Sequence, residues 1–232
     1  MAVEILTLSG WAQKADSLLA AVPEGRSAAY IDYLPCEDFA EMAVELLPSY
    51  KNTPIVMGWS LGSQLAVRAV AAGFLKPKLL VLFSAPYQYV NGGGIQCGAP
   101  KLVFQAFRHG FTMSPKKSLR GFMLSMAGPD HHLKQVLDTI EDDPERLKHW
   151  SRWLKILGAF SCETLDFENF PRTLLIHNDP DPVTPVGQSR LYHDQLPNSV
   201  LEIINREGHA PHLQARERVQ AMLAQEIANV IG

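Results

Sequence analysis

The sequence predicts an α/β protein in which helices cover both faces of a mostly parallel β-sheet. Its short apolar runs are continuous rather than alternating, which is typical of strands buried on both faces. Segments with a helical pattern separate these runs along the chain. With 232 residues and 47% hydrophobic content the chain can bury one sizeable core, so we expect a single domain over residues 1–232.

Six apolar runs are expected to be the strands of this sheet, and most segments between them to be helices. The predicted strands cover residues 3–8, 28–32, 54–58, 78–84, 173–177 and 200–204. The predicted helices cover roughly residues 13–21, 37–47, 60–73, 188–195 and 212–230. This regular alternation favours parallel pairing.

Residues 87–165 interrupt the alternation, because they contain no convincing strand. After the Gly-rich stretch 91–100, helices are predicted near residues 101–110, 115–127, 130–140 and 144–158. This segment, the helical insertion, falls between the predicted strands 78–84 and 173–177. An insertion at this point of a parallel sheet lies over the carboxyl ends of the strands, where such sheets bind ligands. We therefore predict a helical lid.

Cysteine and histidine usage predicts no metal site and no cofactor. The cysteines Cys36, Cys97 and Cys162 form no CxxC pair, which argues against a disulfide framework and a thiolate zinc site. Several histidines lack a carboxylate or a cysteine at metal-ligand spacing, so we expect them to be structural or exposed. They are His131, His132, His177, His193 and His212.

Charge and hydropathy exclude other classes of partner. A formal net charge of −3 gives no indication of nucleic-acid binding. The first ten residues include Glu4 and lack a basic start, so they make a poor signal peptide. No apolar run approaches the ~18 residues of a membrane-spanning helix. We expect a cytoplasmic protein that does not enter a membrane, and we favour a monomer.

The charges are unevenly distributed along the chain. Residues 46–129 contain no Asp or Glu but nine Lys or Arg residues, and acidic residues dominate 130–145. Chance together with a solvated helical face explains this pattern as well as the alternative does. The alternative is a basic surface that docks an acidic partner.

Ser60 is the candidate nucleophile. It lies in the sequence Gly58-Trp59-Ser60-Leu61-Gly62, which has the G-x-S-x-G spacing of a nucleophile elbow. The motif falls between a predicted strand and a predicted helix, which is the setting that this tight turn requires. The flanking glycines avoid Cβ clashes with the adjoining strand and helix, and the turn lifts the hydroxyl above the sheet.

A serine needs a base and an acid to become nucleophilic, and in this arrangement they follow late strands in the order acid, then histidine. His209 follows the predicted strand 200–204 and is the candidate base. Asp179 and Asp181 both follow the strand 173–177. We favour Asp181, because the rigid turn Pro182–Pro185 can fix its carboxylate against the imidazole, whereas Asp179 is better suited to cap that turn.

Acyl transfer also requires amide donors for an oxyanion. The Leu61 amide, directly after the nucleophile, is one candidate. The other is the Trp11 amide, because Gly10 lets the loop after the first strand turn that amide toward the site.

Aromatic residues of the helical insertion have two possible roles. Trp150 and Trp153 mark an apolar helical face, and such faces are more often packing surfaces than acyl pockets. Phe122, with the other phenylalanines of the insertion, leaves the same two possibilities.

Taken together, four motifs resemble those of the α/β-hydrolase superfamily over nearly the whole chain. They are Ser9-Gly10-Trp11-Ala12, Gly58-Trp59-Ser60-Leu61-Gly62, Asp181-xxx-Pro185 and Gly208-His209-Ala210-Pro211. Within the superfamily the chain is most similar to the pimeloyl-(acyl-carrier protein) methyl ester esterases of biotin synthesis. Trp59 and the turn "GHAPHL" are the more discriminating points of this resemblance.

The resemblance implies a serine carboxylesterase with Ser60, Asp181 and His209 as its triad and the Trp11 and Leu61 amides as its oxyanion hole. It also implies a four-helix lid whose basic residues bind an acidic acyl-carrier protein. The substrate- or carrier-binding candidates are Trp59, Arg108, Lys116, Lys117, Arg120, Phe122, Trp150 and Trp153. A short-chain esterase, lactonase or thioesterase with the same triad, and a catalytically silent binding protein, are the alternatives.

Two motifs depart from the family pattern. Ser9-Gly10-Trp11-Ala12 replaces the usual His-Gly-Trp-Gly of the oxyanion loop, which predicts a loop of different shape. His177-Asn178 replaces the usual His-Gly before the acid, and asparagine keeps a residue tolerant of left-handed backbone geometry. Neither change removes a catalytic group.

Overall fold

A parallel six-stranded sheet runs through the computed structural model, which describes residues 3–128 and 133–231. The strand order is β2-β1-β3-β4-β5-β6, and every neighbouring pair is parallel. The strands are β1 (Ile5–Leu8), β2 (Ala28–Tyr30), β3 (Ile55–Trp59), β4 (Leu79–Phe83), β5 (Arg172–Asn178) and β6 (Ser199–Ile204). The predicted α/β class and its parallel sheet are therefore confirmed.

The central strands are apolar on both sides, and each face of the sheet contacts its own hydrophobic cluster. Every residue of β3 and β4 is buried. Alternate residues point to opposite faces, so Val56 joins one cluster while Ile55 and Met57 join the other. This two-sided burial explains why the strands read as continuous apolar runs rather than as alternating ones.

Helices cover both faces. The helices outside the helical insertion are α1 (Phe39–Glu45), α2 (Leu61–Ala71), α7 (Gly187–Gln195), α8 (Pro211–Gln214) and α9 (Arg216–Ile231). Met42 of α1 and Leu65 of α2 pack in one cluster, and Leu223 of α9 packs in the other. No helix within residues 3–128 or 133–231 is long and apolar enough to cross a membrane.

The helical insertion contains four helices in its described part, between β4 and β5. They are α3 (Lys101–Met113), α4 (Pro115–Ala127), α5 (Leu133–Thr139) and α6 (Pro144–Ala159). Their bounds lie close to the predicted ones, although the predicted start of the third helix and His131-His132 lie outside the described residues. That this segment works as a lid stays a prediction.

Two predicted helices differ from the observed ones. Only a short 3-10 helix, Ser17–Ala21, forms where residues 13–21 were expected to be helical. The residues before it do not extend this helix, because Gln13 forms an antiparallel bridge to Ile140 of the helical insertion. The predicted helix 212–230 is broken at Ala215, whose φ of −132° and ψ of 42° are not helical, and this break separates α8 from α9.

The turn from β3 into α2 depends on a close approach at Gly62. A Cβ atom on Gly62 would lie 2.0 Å from the carbonyl oxygen of Leu8 in β1. Backbone at that distance has no room to move aside, so the first turn of α2 can lie against β1 only with glycine here.

We expect Gly62→Ala to lower the free energy of unfolding by at least about 2–3 kcal/mol, the upper part of the usual range for overpacking. Urea denaturation measures this change. The matched control is Gly121→Ala in α4, where an added Cβ meets nothing within 4 Å. It should leave stability unchanged or raise it by about 0.5–1 kcal/mol. Equal stability of the two variants would contradict the close approach.

Candidate active site

Ser60 occupies a strained turn at the carboxyl end of β3. Its φ of 54° and ψ of −118° lie outside the regions that an L-residue ordinarily adopts. Such a conformation costs about 1–3 kcal/mol and persists only where the surroundings enforce it. Here the Ser60 amide donates to the Phe83 carbonyl of β4 at 2.9 Å, and α2 begins at the next residue.

Asp181 and His209 are brought together from two loops that follow β5 and β6. The Asp181 Oδ2 lies 2.7 Å from the His209 Nδ1, and both side chains are buried. The other carboxylate oxygen accepts from the amides of Val183 and Thr184, at 2.8 and 2.9 Å. The structure thus joins His209 to Asp181 and not to Asp179.

The Asp181 carboxyl group stays ionised although it is buried. Burial alone would raise its pKa, but the charge of His209 and the hydrogen bonds from His177 and His209 outweigh burial and hold the pKa well below its usual range. A carboxylate can only accept, so Nδ1 of His209 carries the proton. Nε2 of His209 is therefore the nitrogen with the free lone pair when the imidazole is neutral.

The lone pair of His209 is unengaged in the described structure. Its Nε2 is buried and has no hydrogen-bond partner among the described residues, so no hydrogen bond joins it to Ser60. The histidine loop is nevertheless fastened beside the elbow, since the Trp59 indole donates to the His209 carbonyl at 2.8 Å. Trp59 is fully buried and directly precedes Ser60.

His177, expected only to be structural or exposed, contacts the carboxylate of Asp181. Its Nε2 lies 2.7 Å from the Thr184 carbonyl and 3.2 Å from the Asp181 Oδ2. A carbonyl only accepts, so Nε2 carries a proton that both oxygens share, while Nδ1 lies 2.6 Å from the Ser189 hydroxyl. Its position four residues before Asp181, at the end of an apolar strand, was the only sequence signal for this role.

The two predicted oxyanion donors lie at the ends of neighbouring strands. Leu61 is the first residue of α2, so its amide has no carbonyl in a preceding helical turn to bind. Trp11 lies in the loop after β1, and a Cβ on the preceding Gly10 would approach that of Ser60 to 3.4 Å. The hydroxyl of Tyr33, which sequence reasoning missed, donates to the carbonyls of Ser9 and Gly10 at 2.8 and 3.2 Å.

A cavity of about 740 Å³ lies between the helical insertion and the loop that carries Asp181. Its walls include Phe104, Phe107 and Phe122 of the insertion, with Pro182 and Val183 directly after Asp181. Among its described lining residues, Lys117 is the one with a charged side chain. The rings of Phe107 and Phe122 stand edge-on to Trp11, at 5.6 and 5.1 Å between centroids. The rings of Phe107 and Phe122 thus lie between the cavity and Trp11 in the loop after β1.

Of the remaining candidates of the substrate- or carrier-binding set, Lys117 also lines the cavity, and the others are not among its described lining residues. Trp59, Trp150 and Trp153 are buried and are not among the residues that line the cavity in the described structure. The Trp150 carbonyl instead accepts from the Trp11 indole at 2.8 Å, and the rings of Trp150 and Trp153 stand edge-on to Tyr33. Lys116, Lys117 and Arg120 are exposed on α4, and Arg108 of α3 is half-buried.

The sequence of the chain matches a known family. A family model described as the alpha/beta hydrolase family matches residues 7–221, which is most of the chain. The chain belongs to the alpha/beta hydrolase family.

Two curated relatives of this hydrolase carry names from biotin synthesis. The biotin biosynthesis bifunctional protein BioHC of Teredinibacter turnerae is 26% identical over 235 residues, covering 92% of this chain and 41% of that protein. The pimeloyl-(acyl-carrier protein) methyl ester esterase of Nitrosomonas europaea is 24% identical over 187 residues, covering 78% of this chain and 73% of that protein. The chain thus spans less than half the length of the first relative.

Solved structures of similar fold include enzymes with several names. An esterase from Exiguobacterium antarcticum has a TM-score of 0.76 at 16% identity, covering 97% of this chain and 91% of that one. A bromoperoxidase from Bacillus anthracis has a TM-score of 0.74 at 18% identity, covering 96% and 91%. At these identities the likeness establishes the hydrolase fold and not a substrate.

The structure gives physical reasons for the hydrolase's two departures from the family pattern. The Ser9 hydroxyl donates to the Ala15 carbonyl at 2.9 Å and accepts from Ser17, so it closes the turn that leads into the 3-10 helix. Ala12, which replaces the usual glycine, has a φ of 60°. Glycine adopts this conformation without strain, whereas alanine does not. Asn178 ends β5 without a positive φ, so tolerance of left-handed geometry is not its role. Its amide donates instead to Gly208 and Gln214.

His212 is a buried neutral histidine beside the site. Its ring packs on Trp59 and Phe83, at 4.5 and 5.5 Å between centroids, and neither ring nitrogen has a partner among the described residues. Burial, with a smaller contribution from the charge of His209, lowers the pKa of His212 from 6.5 to about 3. The folded protein therefore keeps this imidazole neutral at pH values where the unfolded chain protonates it.

His212 should make the fold less stable in mild acid. Between pH 6.5 and about 3 the unfolded chain binds a proton at His212 that the folded protein does not, so stability falls as the pH falls. From pH 6.5 to pH 5 the loss is about 2 kcal/mol, at ~1.4 kcal/mol per pH unit. Urea denaturation of the wild type and of His212→Leu at both pH values measures it. The variant should lose about 2 kcal/mol less, and equal losses would refute a neutral buried imidazole.

Proposed function

We propose that the chain is a serine carboxylesterase with Ser60 as nucleophile, His209 as base and Asp181 as the acid that orients it. The observation that carries this proposal is the 2.7 Å contact of Asp181 with His209 Nδ1, which leaves an unengaged Nε2. The Trp59 indole fastens that histidine loop to the residue before Ser60. Nucleophile–base hydrogen bonds are often loose in the absence of substrate, so the missing Ser60–His209 bond is compatible with the triad.

In the proposed reaction, the Ser60 Oγ attacks the ester carbonyl while His209 Nε2 takes its proton. The ionised Asp181 stabilises the imidazolium that results. Collapse of the tetrahedral intermediate breaks the ester C–O bond, and His209 gives the proton to the departing alcohol. Water then attacks the acyl-enzyme, with its proton going to His209 and from there back to Ser60.

The negative charge of the tetrahedral intermediate would be held by the Leu61 and Trp11 amides. The Leu61 amide points out of the first turn of α2, where the helix dipole also favours a negative charge. The Trp11 loop is fixed by the Tyr33 hydroxyl on its carbonyls. Donors held in place in this way need no reorganisation when the charge develops.

We infer that the substrate is a pimeloyl-(acyl-carrier protein) methyl ester, with methanol as the leaving alcohol. The apolar cavity beneath the helical insertion suits an extended acyl chain, and the two biotin-synthesis relatives support this choice. In this proposal the helical insertion acts as the lid. A short-chain ester, a lactone or a thioester would use the same triad, and complementation of a biotin auxotroph lacking its methyl ester esterase distinguishes them.

We expect Ser60→Ala to lower kcat for a p-nitrophenyl ester by roughly 10⁴- to 10⁶-fold, because the other triad members cannot act without the nucleophile. The fold should persist, since alanine fits the turn as a smaller side chain. Steady-state hydrolysis measures the loss, and circular dichroism checks the fold.

The matched control for Ser60→Ala is Ser63→Ala, three residues further along the chain. It removes a buried hydroxyl that donates to the Phe83 carbonyl. It should keep activity within about threefold. A fluorophosphonate should label Ser60 in the wild type and in Ser63→Ala. Turnover retained by Ser60→Ala would refute the mechanism, and an unlabelled wild type would favour a catalytically silent binding protein.

An acidic carrier protein has a matching surface on the helical insertion. Lys116, Lys117 and Arg120 are exposed on α4, and no described carboxylate lies within ion-pair distance of them. Arg108 on α3 is half-buried over the ring of Phe104. Exposed cations of this kind steer an acidic partner and raise its association rate.

Reversal of this surface should affect carrier-bound substrate selectively. Lys116→Glu/Arg120→Glu, which leaves Lys117 of the cavity wall in place, should lower kcat/KM for a carrier-bound methyl ester by about tenfold or more at low salt and leave a free short ester unchanged. The matched control reverses Lys51 and Lys76, two exposed cations outside the helical insertion. It should leave both substrates unchanged. Equal losses on the free and carrier-bound esters would argue against docking on α4.

A further inference from the structure

The side chain of Gln214 lies at the centre of a buried hydrogen-bond network around the loop that carries His209. Its Oε1 accepts from the Ala210 amide at 3.0 Å and from the Asn178 side chain at 2.7 Å. Its Nε2 donates to the carbonyls of Glu207 and Ala127, at 2.9 and 2.8 Å. Two N–H groups face the oxygen and two carbonyls face the nitrogen, so the orientation of the amide is unambiguous.

This network binds the backbone on both sides of His209. Glu207 and Ala210, two residues before and one after the histidine, are both bonded to the same amide group. Gly208 has a φ of 132°, and a Cβ there would lie 1.9 Å from the Gln214 Nε2, so the loop is wrapped closely on the amide. The backbone of the histidine loop therefore has no freedom to move without breaking these bonds.

Asn178 connects the same network to the strand that leads to Asp181. Besides binding Gln214, its side chain donates to the Gly208 carbonyl at 3.2 Å. The Gly208 amide in turn donates to the Pro180 carbonyl at 3.0 Å, next to Asp181. The acid and base loops are thus held together by bonds other than the Asp181–His209 contact itself.

The end of α4 is the third part of the network. The His209 amide donates to the Met126 carbonyl at 2.9 Å, and Gln214 binds the next carbonyl, that of Ala127. Phe122, one helical turn earlier on α4, is a wall of the cavity. One helix thus carries both part of the cavity wall and two of the anchors of the histidine loop.

We propose that Gln214 and Asn178 are positioning residues that hold His209 in register with Asp181 and couple it to α4. The proposal rests on the proposed esterase function, since it assigns these amides to the productive placement of the base. Small misplacements of a catalytic group, of the order of 1 Å, can lower the rate by about 100-fold. Gln214 therefore acts on kcat through His209 and not on the binding of substrate.

The test uses Gln214→Met, which keeps length and volume but cannot hydrogen-bond to the loop. We expect kcat for a p-nitrophenyl ester, and the rate of fluorophosphonate labelling at Ser60, to fall about 10- to 100-fold with KM changed less than about twofold. Gln188→Met is the matched control, because Gln188 is also a buried glutamine that binds backbone groups of a loop, those of Gln88 and Cys97. It should keep both rates.

Asn178→Ala provides the second variant, which keeps the proposal testable if Gln214→Met does not fold. It removes the link to the acid strand alone and should lower the same two rates about tenfold, again at nearly constant KM. Folded variants that label and turn over at the wild-type rate, or that change KM in place of kcat, overturn the positioning role. A wild type that is not labelled at Ser60 overturns the proposed function as well, so the two failures are distinguishable.

Discussion

The buried carboxylate of Asp181 is the constraint on which the arrangement of the site depends. Removing a carboxylate from water costs several kcal/mol unless charges and hydrogen bonds replace the lost hydration. Here the replacement comes from His209, from His177 and from the amides of Val183 and Thr184. Each partner belongs to β5 or to a loop at the carboxyl end of a late strand, so the ionised acid can exist only where these parts of the fold meet.

The sheet brings these parts together because all of its described strands are parallel. The carboxyl ends of parallel strands share one edge, and this edge presents the loops after β1, β3, β5 and β6 to one another. The contact at Gly62 then lets α2 lie against β1, which fixes the strained elbow at Ser60 close to the Gly10 loop. The backbone strain at Ser60 is thus maintained by the packing at Gly62, as is usual for strained residues at functional sites.

Sequence reasoning found the strands, most helices and the contact of Asp181 with His209, because periodicity and order along the chain carry that information. It missed His177, Tyr33 and Gln214. Tyr33 contacts Ser9, 24 positions away, and Gln214 contacts Ala127, 87 positions away. His177 contacts one oxygen of the Asp181 carboxylate. It also predicted that Asn178 replaces glycine as a residue tolerant of left-handed geometry, whereas the Asn178 side-chain amide donates a hydrogen bond to Gln214. Hydrogen bonds between distant loops leave no periodic trace, so pattern analysis cannot find them.

Trp11 links the loop after β1 to the helical insertion. Its ring stands edge-on to Phe107, Phe111 and Phe122, and its indole donates to the Trp150 carbonyl. The same loop is bonded to the insertion through its backbone, since the Lys14 amide donates to the Thr139 carbonyl at 2.7 Å. A ligand that displaces the phenylalanine walls of the cavity must therefore act on the loop that carries the Trp11 amide. Because close-packed side chains transmit displacement rather than absorb it, we expect occupation of the cavity to shift the Trp11 amide, which is the proposed oxyanion donor.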